Sequence, residues 1–321
     1  MGRPETAFPT IISLQNQTFL PENWEIIIVS VRAQEISEKI NNNLPVKFVP
    51  LNQKLIPSQT RIEGIKKATG DWFLFIDDDI ELKSDFLKKL MSLIQSAKNL
   101  GAIGPMLPGK NGSFFERLTD YTNFWSQQNL KRNRRDWLYS ASLAVSAEAY
   151  VKAGGFNPEL EIGEDVDLTQ KINKNNFLVI YEPELVAFHN HKRDTLLAMV
   201  KYFWKNGGHA KFFLLQNPQL RVFSLLRAFR NSFDNLNQNI TLNKNCLKDF
   251  GKYKLGVCVN YIIYQISMEW HYQYYLYKNN FYMNLKPETP EENYLVISFK
   301  LFSKGKWFRG IYYYLRAMLR K

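Results

Sequence analysis

Residues 72–82, Trp-Phe-Leu-Phe-Ile-Asp-Asp-Asp-Ile-Glu-Leu, pass from an apolar strand straight into three adjacent carboxylates. The run Trp72 to Ile76 suits a buried strand. Asp77, Asp78 and Asp79 then stand together at its carboxyl end, where each acid raises its neighbours' pKa and costs stability unless a cation is near. Strand alternation sends Asp77 and Asp79 to one side and Asp78 to the other, so the first and third can share a ligand. A hard divalent cation, Mg2+ or Mn2+, held by one or two carboxylates with phosphate oxygens and water around it, answers that need. Capping of the following helix is the plainer use for such acids, but three in a row exceed what a cap requires.

The surroundings of this run are an alternating α/β chain. Strands are predicted at Trp24–Ser30, Val46–Val49, Trp72–Ile76, Ala102–Pro105, Leu138–Ser146 and Phe177–Tyr181. Helical patterns fall between them, over 5–18, 33–41, 57–69, 83–98 and 164–175, with Ser84 and Asp85 as start signals for the fourth. This alternation predicts a mostly parallel, Rossmann-like sheet whose ligand site lies at the carboxyl ends of its strands. After His191 the pattern changes to aromatic and basic helical stretches at Thr195–Leu215, Gln219–Ser232, Leu255–Tyr277 and Val296–Arg320. The predicted division is therefore a catalytic domain over 1–194 and a helical region over 195–321.

Charge follows the same division. The net +12 splits into 23 Lys/Arg against 24 Asp/Glu in residues 1–194, and 19 against 6 in residues 195–321. A C-terminal region near +13 points to an anionic partner, with a membrane surface and nucleic acid as the two classes to weigh. The most apolar charge-free window, Leu255 to Met268, is about 14 residues and carries Asn260 and Gln265, short of the roughly 18–20 that span a bilayer. Two cysteines, Cys246 and Cys258, supply neither a disulfide framework nor a four-thiolate zinc site, which fits a reducing compartment.

A second acidic constellation follows a glycine turn: Gly154-Gly155-Phe156-Asn157-Pro158-Glu159-Leu160, then Gly163-Glu164-Asp165-Val166-Asp167-Leu168. Acids in a first helical turn gain about 0.3–1 kcal/mol each from the helix dipole, which accounts for one or two of them. A carboxylate at a loop-to-helix junction is also well placed to take a proton from an incoming hydroxyl. No P-loop, GxGxxG or recognisable nucleophile triad offers competing chemistry.

Arg61-Ile62-Glu63-Gly64-Ile65-Lys66-Lys67-Ala68-Thr69-Gly70-Asp71-Trp72, then FLFIDDDIEL, GGFNPEL and GEDVDL, taken in order, resemble the family 2 glycosyltransferases of GT-A fold. The likeness covers roughly residues 3–215. It implies that Asp77 and Asp79, with Asp78 between them, contact the donor nucleotide and hold Mn2+ or Mg2+ on its diphosphate. It implies that Asp165 of the Glu164–Asp165 pair is the base for a single displacement with inversion. By the same resemblance His189, in Phe188-His189-Asn190-His191, is a further metal ligand, with His191 a weaker candidate, and Arg61 and Gly64 serve the donor side. The partners implied are a nucleotide-sugar donor and a saccharide or lipid-linked acceptor, with no nucleic acid beyond the donor nucleotide. Haloacid-dehalogenase-type phosphatases share the strand-then-acids shape, but place it near the N-terminus and with a different follow-on.

The chain departs from the family at two places. Relatives begin with an apolar strand leading into an Asn-Arg-Pro-Glu-like segment, whereas Met1-Gly2-Arg3-Pro4-Glu5 opens this chain, so the first strand of the sheet is expected to be missing. Val31-Arg32-Ala33-Gln34 stands where many relatives carry an acidic, Ser-containing segment. The Gln-x-x-Arg-Trp signature of processive synthases is absent, which points to transfer of one sugar. The basic run Lys131-Arg132-Asn133-Arg134-Arg135 lies where the family positions acceptors. From Ser298 to Lys321 seven Lys/Arg and no acid alternate with aromatics, which suits a helix lying in an anionic membrane interface. The reading is a metal-dependent inverting glycosyltransferase, cytoplasmic and peripheral to a bacterial inner membrane. The alternative is an inactive module of the same fold acting as a membrane or complex scaffold.

Overall fold

In the computed structural model the residues described are 4–40, 45–110, 113–123, 131–190, 192–206 and 253–278. Strands β3 (Trp72–Ile76), β4 (Ile80–Leu82), β5 (Leu100–Met106), β6 (Asn133–Arg134), β7 (Ser142–Ser146) and β8 (Leu178–His189) form a six-stranded sheet in the order β3-β7-β5-β8-β4, with β6 on β8. The sheet is mixed: β5 and β8 are parallel, and β7 lies between β3 and β5 antiparallel to both, so β3, β5 and β8 all run the same way. Short β4 and β6 pair antiparallel with β8.

Period-two alternation divides the core between the two faces of this sheet. Ile103, Ala144 and Ile180 face one apolar cluster, completed by Phe86, Leu87 and Leu90 of helix α4 (Phe86–Ser96). Their neighbours Ala102, Leu143, Val145, Val179 and Tyr181 face another, with Ala149 of α6 (Ala147–Lys152) and Leu168 and Ile172 of α7 (Glu164–Lys174).

Two further strands, β1 (Ile26–Ser30) and β2 (Val46–Pro50), are parallel, are joined through α2 (Ala33–Lys39), and form a separate two-stranded sheet. Among the described residues no strand joins it to β3. Helix α1 (Pro4–Gln15) links the two sheets instead: Ala7 and Ile11 pack with Ile28, while Leu14 enters the cluster beneath the large sheet. Just past this helix Gln17 accepts from Leu87 N–H and donates to Lys83 C=O, both at 2.9 Å, and Ser13 Oγ accepts from Leu82 N–H at 3.0 Å.

Several element bounds differ from the sequence reading, each for a visible reason. The strand expected over Leu138–Ser146 begins only at Ser142. Its first part is drawn away by other partners: Leu138 N–H donates to Thr169 Oγ1 and Ser140 N–H to Asp165. The strand expected to end at Tyr181 continues to His189 through Glu182-Pro183-Glu184, a polar, proline-bearing stretch with no strand signature. Helix α3 (Pro57–Ile65) ends four residues before the predicted Thr69.

The chain divides into two compact units, Met1–Met199 with Leu242–Phe250, and Val200–Thr241 with Gly251–Lys321. Helix α8 (Leu196–Asn206) begins in the first, and the 25-residue helix α9 (Lys254–Lys278) belongs to the second. No helix among the described residues is long and apolar enough to cross a membrane. The stretches expected as helices at 219–232 and 296–320, and His191, lie outside the described residues.

Candidate functional site

Strand direction gathers the site. Because β3 and β8 point the same way and β7 the opposite way, the residues after β3, at the end of β8 and before β7 lie at the same end of the strands. Asp77–Asp79, His189 and Ser140–Ala141 are those residues. Asp77 N–H donates to Ala141 C=O at 2.9 Å, and Ile80 pairs with His189 in the β4–β8 ladder.

The acidic run splits between two partners. Asp77 Oδ1 accepts from Arg61 Nη2 at 2.8 Å, and the same guanidinium donates through Nη1 to Glu164 Oε1 at 2.6 Å. Arg61 lies on α3 and Glu164 opens α7, so one side chain joins the two acidic motifs across 103 positions of sequence. Asp79 turns the other way, with Oδ1 3.4 Å from His189 Nε2, and its C=O accepts from Asn190 N–H at 2.8 Å.

The scaffold that fixes Arg61 is local. Ser58 Oγ and Gln59 Nε2, on the same helix, donate to the C=O groups of Leu160 and Pro158, which bolts α3 to the loop preceding α7. The guanidinium also sits over the Phe156 ring, 5.7 Å from its centroid, and Phe156 meets Phe75 of β3 edge-on at 5.1 Å. Gly163 takes the left-handed conformation (φ 85°) at the start of α7, which turns the chain so that Glu164 and Asp165 enter the helix facing this corner. Gly64 faces Val29 of β1, where a Cβ would come within 3.2 Å; it permits close packing of α3 and stands apart from the side-chain cluster.

Burial dominates the electrostatics. Desolvation pushes Glu164 up to about 7, with Asp165 adding to the push and Arg61 opposing it. Desolvation also pushes Asp77 up to about 6 against the pull of Arg61, with Asp79 and Asp78 contributing as like charges. The Asp77 side chain is 38% exposed, so solvent screening softens that push, whereas Glu164 at 8% has little such relief. Arg61 is held above its ordinary value by Asp77, Glu164 and Asp165 in spite of its burial.

Asp165 is held by three donors. Ser140 N–H and Oγ reach its Oδ2 at 2.9 and 3.3 Å, and Val166 N–H reaches Oδ1 at 2.8 Å. Beside it Trp137 and Tyr139 meet edge-to-face at 5.0 Å. Ser140 carries no motif in the sequence, and only its position before β7 identifies it. The segment after β5 closes the far side: Gly109 bridges to His189 and donates to Oδ2 of Asp120, on helix α5 (Phe114–Asn123), at 2.9 Å, and Lys110 pairs with Glu81. In the basic run, Arg132 pairs with Glu182 and Arg135 lies over the Tyr181 ring.

A divalent cation fits Asp79 and His189 as a pair of oxygen and nitrogen donors. Among the described residues no group of three or more acidic, histidine or cysteine side chains could hold a metal by itself. The remaining positions would therefore fall to phosphate oxygens and water, the usual arrangement for Mg2+ and close to it for Mn2+.

Residues 3–155 match the model of the family described as glycosyl transferase family 2, a range that takes in Arg61 and the three aspartates and stops short of Glu164. An uncharacterized glycosyltransferase of Haemophilus influenzae is 26% identical over 165 residues, covering 50% of this chain and 55% of the relative. Amylovoran biosynthesis glycosyltransferase AmsB of Erwinia amylovora is 32% identical over 104 residues, covering 30% of this chain and 34% of the relative. The chain thus spans about half or less of the length of these curated relatives. The solved mannosyltransferase PcManGT of Pyrobaculum calidifontis, in complex with GDP-Man and Mn2+, superposes with a TM-score of 0.50 at 12% identity, over 100% of this chain and 85% of that one, which is a likeness of fold. Residues 3–155, just under half of the chain, are thus similar to glycosyl transferase family 2, on a fold like that of the Pyrobaculum mannosyltransferase.

Proposed function

We propose that the chain is an inverting, divalent-metal-dependent glycosyltransferase that moves a single sugar from a nucleotide-sugar donor to a hydroxyl acceptor. Its setting is polysaccharide or glycolipid synthesis on the cytoplasmic face of a bacterial inner membrane. The observation that carries this reading is the Arg61 bridge, which holds Asp77 of the donor-side run and Glu164 beside the base in one cluster. An inactive scaffold has no use for two acidic motifs brought together at such electrostatic cost.

In this reaction Asp165 takes the proton of the acceptor hydroxyl while that oxygen attacks the sugar C1 on the face opposite the diphosphate. The bond from C1 to the diphosphate oxygen breaks, its electron pair stays on the leaving group, and the configuration at C1 inverts. Ser140 and the Val166 N–H orient the base for that transfer. Asp79 and His189 would hold a divalent cation, which would supply positive charge to the departing diphosphate. The net +13 of residues 195–321 supports an anionic lipid surface as the place where a lipid-linked acceptor is met. The polysaccharide assignment draws on the name of the Erwinia relative.

A panel of nucleotide sugars, each with Mn2+ or Mg2+ and read as released nucleotide, tests the reaction class. With the productive donor, Asp165→Asn is expected to lower turnover about 10²- to 10⁴-fold, and Asp79→Ala to abolish the response to added metal. Full metal-dependent turnover in both variants overturns the assignment.

A further inference from the structure

Helix α9 buries one face, of mixed polar and apolar residues, and exposes an apolar row on the other. Val257, Asn260, Ser267 and Met268 are buried, and Ser267 Oγ donates to the C=O of Trp204 on α8. At 100° per residue these positions fall within an arc of about 100°. Leu255, Val259 and Ile266 are exposed at 77%, 45% and 39%, with half-buried Ile262 between them. Their spacing of four, three and four residues places all four within about 60° of arc, on the side opposite the buried face. The stripe runs about 17 Å along the helix and carries no charged residue. A single exposed leucine is ordinary, but an aligned apolar row opposite the packed face marks a surface that meets something.

Charge identifies the occupant. The region that contains α9 holds 19 Lys/Arg against 6 Asp/Glu, and in sequence Lys252 and Lys254 precede the stripe while Glu269 and then Lys278 follow it. An apolar row set in a strongly cationic region matches the acyl boundary of an anionic bilayer, with cations at headgroup level. The helix lacks the hydropathy to span, so it lies in the interface plane.

We propose that the Leu255–Val259–Ile262–Ile266 face of α9 is a membrane-docking surface that inserts into the interface of anionic phospholipid bilayers. This inference rests on the membrane reading given under the proposed function. The test uses the full chain and phosphatidylcholine vesicles with or without about one-third phosphatidylglycerol. A triple variant, Leu255→Gln, Val259→Gln and Ile266→Gln, alters only exposed positions, and its circular dichroism is compared with that of the unaltered chain. The expected result is at least about ten-fold weaker co-sedimentation of the triple variant with anionic vesicles. A fluorophore attached at Val259→Cys should also shift to the blue on vesicle addition. If the unaltered chain and the triple variant bind equally well, the docking assignment to α9 is overturned while the membrane reading stands. If the unaltered chain binds no vesicles, both fall. If the triple substitution instead converts a dimer to a monomer and leaves vesicle binding unchanged, the stripe is a self-association surface and the proposal is overturned.

Discussion

The two outer acids of one three-residue run live in opposite circumstances. Asp77 is drawn inward to Arg61, whose other nitrogen is taken by buried Glu164, so this half of the site is an ion network within the protein. Asp79, two residues on, faces His189 at 3.4 Å, a pair of metal-type donors at the end of β8. Strand alternation alone would put both aspartates on one side. They part because β3 ends at Ile76 and the chain turns before β4, with Ile80 N–H donating to Asp77 C=O. The contrast is one of surroundings: one acid holds two motifs together through Arg61, and the other faces His189.

The sharpest way to break that contrast is to remove the bridge. Arg61→Met leaves Glu164 buried beside Asp165 with no cation, and an uncompensated buried charge of this kind costs about 3–5 kcal/mol. Urea unfolding of the metal-free protein should register a loss near the lower end of that range, since Asp77 keeps solvent contact. Adding Glu164→Gln to the variant should recover part of it. A loss below about 1 kcal/mol would mean that the network is incidental to the fold.

How much of this was legible beforehand follows from what kind of signal each feature leaves. The α/β alternation and the strand leading into Asp77 were readable because burial writes a period into the chain. Arg61, Asp77, Asp79, Glu164, Asp165 and His189 were all nominated from motifs, and the structure draws them into one region. The pairing inside that set was not readable: nothing in the run Asp77-Asp78-Asp79 says which acid meets Arg61 and which meets His189. Ser140 was missed because a serine in an apolar strand pattern has no signature, and its hydrogen bond to Asp165 is what shortens that strand. The antiparallel entry of β7 was likewise hidden, because strand direction depends on connections rather than composition.

The same contrast has a pH signature. Glu164 is pushed from an ordinary 4.5 up to about 7, so between those values the folded protein holds a proton that the unfolded chain has released. Stability from this group is therefore complete below about 4.5, declines as pH rises, and is lost above about 7. In metal-free buffer the stability of the unaltered chain relative to Glu164→Gln should fall by on the order of 2 kcal/mol from pH 5 to pH 8. Asp79→Asn should keep most of that slope, because burial and Asp165 are what raise Glu164. A flat difference across this range would remove burial as the governing force on the inner half of the site.

The smallest expected effect concerns the proposed base, Asp165. Asp165 Oδ2 receives two donors from one residue: the Ser140 N–H at 2.9 Å and its hydroxyl at 3.3 Å. The shorter bond comes from backbone that is fixed on both sides, since Leu138 N–H is held by Thr169 and Ala141 C=O by Asp77 N–H. Ser140→Ala removes only the longer bond, so the carboxylate keeps its orientation and the cost should be about 0.5–1 kcal/mol of stability with turnover lowered only a few-fold. Thermal unfolding and turnover measured on the same preparation check both parts. A loss of turnover approaching that of Asp165→Asn, with stability intact, would move the hydroxyl from a supporting role into the proton transfer and make Ser140 a direct participant in the chemistry.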